Sequence, residues 1–160
     1  IGQGYDIHPI TEDRALFLGG YEIKEAQCGL LGHSDADVLL HAIIDALLGA
    51  LALRDIGQHF PDTDEKWAGI DSKLLLKEVL KLEEVKNWQL QNLDSTIITE
   101  KPKLAKHIPN IRKKLAELFN CETSKISVKA KTNEKFDAVG NSQAMAAQVV
   151  LLLKKKGKVV

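Results

Sequence analysis

The stretch Leu30-Leu31-Gly32-His33-Ser34-Asp35-Ala36-Asp37-Val38-Leu39-Leu40-His41-Ala42-Ile43-Ile44-Asp45-Ala46-Leu47-Leu48-Gly49-Ala50 changes character midway, from a polar turn to a run that is apolar almost all round. Ser34 followed by Asp37 has the layout of a capping box with Asp in place of Glu, which predicts a helix from about Asp35 to about Leu53. The apolar run is interrupted by His41 and Asp45 and is too short to cross a bilayer, so it reads as a core helix. His41 and Asp45 lie one turn apart, Gly49 continues their line, and polar groups on a buried helix need partners. His41 is either a core histidine bonded to Asp45 or a ligand, and this stretch alone leaves both open.

Upstream, a first strand carries Tyr5 to His8, and Leu16-Phe17-Leu18 and Tyr21-Glu22-Ile23 flank Gly19-Gly20 as a hairpin. Downstream, Ser72 opens a second helix, and a third follows Pro102 with Ile108, Ile111, Leu115 and Leu118 at helical spacing and Pro109 as a possible kink. Leu93 to Thr99, Ile126 to Thr132 and Ala144 to Leu153 read as strands. Strands interleaved with helices predict an α/β or α+β layer in which helices cover one face of a sheet.

The chain has 160 residues, 44% of them hydrophobic, and no proline-rich or glycine/serine-rich linker, so residues 1–160 are expected to form a single domain. The charge run Lys154-Lys155-Lys156 reads as a short, solvated, basic C-terminal tail. Basic and acidic residues balance at 22 each, so no net field draws the chain to nucleic acid or an anionic membrane. A small-molecule partner is expected. Cys28 and Cys121 lack any C-x-x-C spacing and predict reduced thiols. With Ile1 in place of Met, removal of a leader, a transit peptide or an expression tag ahead of this numbering is left open.

Asp6 and His8 flank Ile7 on a strand, and a period of two puts both on one face. Carboxylate and imidazole suit zinc, yet D-x-H alone is commonly coincidence. With His41 they make three ligands of N and O type and leave a fourth position free, as a catalytic zinc requires. The turn Gly32 to Asp37 offers His33, Ser34 and backbone N–H groups as an anion cradle, against the plainer reading of a capped helix with a solvated histidine. Asp55-Ile56-Gly57 and Phe60-Pro61-Asp62-Thr63-Asp64 form a carboxylate-bearing loop without the ligand spacing of a calcium loop. Lys131-Thr132-Asn133-Glu134-Lys135 mixes the groups that can hold a diphosphate and its cation.

Read in order, G-Y-D-I-H, the central block quoted above, D-I-G-Q-H-F-P-D-T-D, T-I-I-T-E-K-P-K-L and V-K-A-K-T-N-E-K closely resemble the 2-C-methyl-D-erythritol 2,4-cyclodiphosphate synthases across nearly the whole chain. The resemblance implies a homotrimer, each subunit a small mixed sheet with helices on its outer face and the active sites at subunit boundaries. It implies that a cytidine diphosphate substrate closes on itself with loss of CMP. Asp6, His8 and His41 would hold zinc, and Glu134 a magnesium or manganese ion on the diphosphate. His33 and Thr132 match positions that steady the transition state. Substrate contacts are implied for Asp6, His8, His33 and Ser34, and for Asp55, Ile56 and Gly57. Phe60, Pro61, Asp62, Thr63 and Asp64 would surround the methylerythritol. Thr99, Glu100, Lys101, Pro102, Lys103, Leu104 and Ala105 would surround the cytosine, and Lys131, Thr132, Asn133 and Glu134 the phosphates. Where many bacterial members carry Phe-x-Gly-Arg this chain has Ala138-Val139-Gly140-Asn141, and a later acidic position is Gln148, so the charged pair that lines their trimer-axis cavity is missing. The run K-T-N-E-K-F-D-A-V-G is more similar to the version of plastid-bearing organisms and some bacteria, which implies a bacterial cytoplasm, or a plastid stroma after removal of a transit peptide. A zinc phosphoesterase acting on a cytidine nucleotide and a cytidine-nucleotide-binding module are the rival readings.

Overall fold

In the computed structural model, residues 1–157 are described. The chain runs β1 (Gly2–Thr11), β2 (Phe17–Leu18), β3 (Tyr21–Glu22), β4 (Gly29–Leu30), α1 (Val38–Ala50), α2 (Ile56–His59), a short 3₁₀ turn at Glu65–Trp67, then α3 (Ser72–Lys81). It continues through β5 (Trp88–Ile98), α4 (Ile108–Phe119), a second 3₁₀ turn at Thr123–Lys125, β6 (Ile126–Lys131), α5 (Asp137–Gly140) and β7 (Ala144–Lys155). A mixed sheet has the order β4-β1-β7-β5-β6, with β5 and β6 parallel and the other neighbours antiparallel. The hairpin β2-β3 stands apart.

Helix α1 is the centre of the core. Its residues from Val38 to Leu48 are buried except His41 and Asp45, and it lies across β1 and β7. Contact with β1 is backbone to backbone: a Cβ added at Gly2 or Gly4 would stand 1.8 Å from the Ala46 carbonyl oxygen or 1.9 Å from that of Ala42. Gly2, Gly4, Asp6 and His8 alternate on the helix-facing side of β1. The two glycines let the helix settle onto the strand, and the next two side chains on that face meet the side of α1 that carries His41.

Three local expectations are revised. Helix α1 starts at Val38, because Ala36 sits at φ 57 and Asp37, not Ser34, is the N-cap. The Asp37 carboxylate accepts from the backbone N–H groups of Leu39 and Leu40 and from Gly19 and Gly20 in the β2-β3 turn, tying the hairpin to the helix start. Pro109 lies in the first turn of α4, where it has no intrahelical N–H to lose. Lys154 and Lys155 continue β7 opposite Gln89 and Trp88, with their side chains exposed, and the last residues of the basic segment, 158–160, lie outside the described region.

Candidate metal and nucleotide site

Most of the residues singled out in the sequence gather around two cavities that share no lining residue. One, of about 230 Å³, is lined by Asp6, His8, His33, Ser34, His41, Ile56, Gly57, Phe60 and Asp62, joined by Trp67 and Leu75. The other, of about 370 Å³, is lined by Thr99, Pro102, Lys103, Leu104, Ala105, Lys131 and Thr132, joined by Ile108 and Ala130. Glu100 and Lys101 face a third and larger hollow of about 800 Å³ beside Glu25, Cys28 and Lys135. Asp55 and Asp64 cap short helices through Gln58 N–H and Lys66 N–H, and neither they nor Pro61 and Thr63 line the first cavity.

At the floor of the first cavity a nearly equilateral triangle forms. Asp6 Oδ2 lies 2.9 Å from His8 Nε2 and 3.0 Å from His41 Nδ1, and the two ring nitrogens are 2.9 Å apart. His8 Nδ1 stands 3.1 Å from the Leu31 carbonyl oxygen. A carbonyl only accepts, so that nitrogen carries the His8 proton and Nε2 presents a lone pair. A carboxylate and two imidazole nitrogens aimed at one point repel unless a cation sits among them. The edges are a few tenths shorter than the roughly 3.3 Å between ligand atoms of a tetrahedral zinc with bonds of about 2.05 Å, so the set fits such an ion after a slight opening. In the metal-free protein protons can stand in for the cation between the rings and Asp6; burial then works against the carboxylate, yet the bonds it accepts from His41 and His8 outweigh it and hold its pKa well below the ordinary range. Burial likewise opposes the charged His41 ring, and the bond to Asp6 outweighs it and lifts the imidazole above its usual value.

His41 is therefore not paired with Asp45, whose carboxylate accepts from Ile56 N–H at 2.8 Å and anchors the start of α2. Its other ring nitrogen meets Ser72 Oγ at 2.9 Å and Ser34 Oγ at 3.0 Å. Ser72 and its partner Asp35 were read from the sequence only as helix starts and not as site residues; Asp35 reaches Ser72 across 37 residues, and no local pattern announces that. Arg14 was missed too. Its guanidinium donates to the carbonyls of Leu30, Gly32 and Ser34, at 3.2, 3.0 and 2.6 Å, and braces the turn that carries His33. In the second cavity region Thr132 donates its hydroxyl to Glu134 at 2.8 Å, and Glu100 accepts from Asn133 N–H at 2.9 Å. Glu134 and Lys135 both lie at positive φ, 51 and 65, so the strand end closes in a tight turn.

The chain matches the YgbB family over residues 1–154. A 2-C-methyl-D-erythritol 2,4-cyclodiphosphate synthase of a Synechococcus species is 56% identical over 153 residues, covering 96% of this chain and 97% of that one. Its counterpart in Nostoc punctiforme is 53% identical over 156 residues, covering 98% and 97%. Among solved structures, a CDP-bound 2C-methyl-D-erythritol-2,4-cyclodiphosphate synthase superposes with a TM-score of 0.86 at 36% identity, covering 96% of this chain and 99% of that one. A Plasmodium falciparum IspF–CDP complex superposes with a TM-score of 0.83 at 37% identity, covering 98% and 96%. With that likeness running nearly end to end, and with the Asp6, His8 and His41 triad on the floor of its first cavity, the chain belongs to the YgbB family of 2-C-methyl-D-erythritol 2,4-cyclodiphosphate synthases.

Proposed function

We propose that the chain converts 4-diphosphocytidyl-2-C-methyl-D-erythritol 2-phosphate to 2-C-methyl-D-erythritol 2,4-cyclodiphosphate and CMP, as a phosphorus–oxygen lyase of the non-mevalonate route to isoprenoid precursors. The observation that carries the reading is the convergence of Asp6, His8 and His41 at the floor of a cavity, in a chain of this family. An oxygen of the 2-phosphate attacks the β-phosphorus, and the bond from that phosphorus to the bridging oxygen breaks, so CMP leaves with the electron pair. The nucleophile is already anionic at neutral pH, so a strong base is not needed and catalysis rests on alignment and charge neutralisation.

Zinc held by Asp6, His8 and His41 would supply Lewis-acid polarisation of a phosphate oxygen. A magnesium or manganese ion on the diphosphate would draw on Glu134, which the Thr132 hydroxyl orients from 2.8 Å. His33 and Thr132 would steady the charge that builds up in the transition state. Ser34 accepts from Ala36 N–H at 3.1 Å and keeps its own proton to give to a phosphate oxygen. Asp55 to Gly57 would contact the substrate, Phe60 to Asp64 would close around its methylerythritol part, and Thr99 to Ala105 around the cytosine. That last role is supported by the two CDP-bound relatives of similar fold.

A homotrimer with sites at its boundaries is supported by two features. The zinc cavity and the Thr99–Thr132 cavity are lined by separate sets of residues, as two half-sites supplied by neighbouring subunits would be. The sheet face away from α1 exposes Tyr5, Ile7, Val150 and Leu152, an apolar surface suited to burial against neighbouring copies. Among the described residues no helix is long and apolar enough to cross a membrane. The bacterial relatives and the unpaired Cys28 and Cys121 favour a reducing compartment such as a bacterial cytoplasm.

Purified protein given the cytidylylated 2-phosphate with zinc and magnesium should yield, by phosphorus NMR, the paired resonances of a cyclic diphosphate together with CMP. A linear phosphate product would show that water is the nucleophile and would sink the cyclase reading.

A further inference from the structure

The two nitrogens of His41 face different surroundings. Nδ1 points at Asp6 and His8, whereas Nε2 points at Ser72 and Ser34. Ser72 is fully buried as the first residue of α3, so its hydroxyl has no bulk water to turn to. Asp35 claims that hydroxyl: one carboxylate oxygen lies 2.5 Å from Ser72 Oγ, and the other accepts Ser72 N–H at 3.1 Å. An ionised carboxylate only accepts and a serine has a single proton. With that proton on Asp35, Ser72 offers His41 only lone pairs. The 2.9 Å contact is then a hydrogen bond only if Nε2 carries a proton.

We infer that Asp35 and Ser72 are positioning residues which hold a proton on His41 Nε2 and thereby present Nδ1, bare, toward Asp6 and His8. The inference rests on reading that triad as a metal site. It gives His41 the counterpart of what the Leu31 carbonyl does for His8, where a fixed acceptor selects the nitrogen left free. Among the described residues Ser34 is the only other hydrogen-bond partner of Nε2. If its hydroxyl donated there instead, the lone pairs of Ser72 Oγ and Nε2 would face one another across 2.9 Å in a buried site with no proton between them.

The test compares zinc affinity, by competition with a chelator, in the wild type, Ser72→Ala, Asp35→Ala and the double variant, each checked for folding by circular dichroism. Ser72→Ala should weaken zinc about tenfold, since Nε2–H can still donate to Ser34, and Asp35→Ala about a hundredfold. In Asp35→Ala the freed Ser72 proton turns toward Nε2 and drives the ring proton onto Nδ1. Adding Ser72→Ala to Asp35→Ala should therefore restore zinc affinity to near the Ser72→Ala level. A double variant as weak as Asp35→Ala overturns the inference, because Asp35 would then act by charge or shape alone. A readout that needs no variant is the proton spectrum of the zinc-loaded wild type, where His41 Hε2 should appear as an exchange-protected signal. Its absence would equally overturn the assignment. A wild type that binds no zinc would instead refute the metal reading, which keeps the two failures apart.

Discussion

Asp6 and His8 occupy the positions on β1 that follow Gly2 and Gly4 on the same face, so one strand supplies both the seat for α1 and the first ligands. That much was legible, since alternation on a strand and a lone polar line on an apolar helix are local signals. The roles of Ser72, Asp35 and Arg14 were not legible, because each acts through a contact distant in sequence, although Asp35 lies in the turn before α1 and Ser72 was read as a helix start. The titration of the triad gives a prediction with opposite signs in the two metal states. In the metal-free protein the lowered Asp6 pKa adds stability that is complete above the ordinary carboxylate range and is lost on acidification. The raised His41 pKa adds stability that is complete below the ordinary imidazole value and is lost as pH climbs through the raised one. The urea midpoint of metal-free wild type over His41→Ala should thus be most favourable near about pH 5 and shrink above about pH 7. Zinc affinity should run the other way and fall toward about pH 5, because the ligands must shed protons to bind. Isothermal titration across that range, and a metal assay finding His41→Ala folded but empty, check both halves. Full zinc occupancy in His41→Ala would remove it from the ligand set.

Among the elements, α1 and β1 form the contact on which the site depends, and two glycines at that contact should respond to the same substitution with opposite signs. Gly4→Ala pushes a Cβ to 1.9 Å from the Ala42 carbonyl oxygen, a backbone atom that cannot swing aside. The helix must lift, which should destabilise the fold by about 3 kcal/mol and weaken zinc binding, because His41 rides on the displaced helix. Gly49, within α1, has only the Gln3 carbonyl oxygen nearby at 3.8 Å, an ordinary contact. Gly49→Ala should stabilise by about 0.5–1 kcal/mol, the helix-propensity difference. Paired thermal melts decide this, and a Gly4→Ala protein as stable as wild type would show that the close approach is not required. Strand and helix order was readable from periodicity, whereas the start of α1 was misplaced to Asp35. The cap itself is local, Asp37 accepting from Leu39 and Leu40, but the further bonds that engage Asp37 rather than Ser34 come from Gly19 and Gly20 in a separate hairpin, which no window of local sequence contains.

For the whole molecule, periodicity could name the strands but not their order, because β1 pairs with β7 across the length of the chain and β5 inserts between β7 and β6. The division of the site is a fact of the same scale. Asp6, His8 and His41 line one cavity, while Thr99, Pro102, Lys103, Leu104, Ala105 and Thr132 line another. If the boundary of a cyclic trimer joins the first cavity of one subunit to the second cavity of the next, His41→Ala and Thr132→Ala damage different halves of a site. In a cyclic trimer every interface is heterologous, so each mixed trimer holds one boundary at which both halves are intact. Random mixing of equal amounts makes about three trimers in four mixed, each with one good site in three, so activity should return to about a quarter of wild type. The chains must be refolded together or co-expressed so that they exchange, and native mass spectrometry must show the mixed species. Recovery no greater than the sum of the two separate variants, with mixed trimers present, would mean that both cavities of a site come from one chain, and the apolar sheet face would then have to be explained by something other than a shared active site.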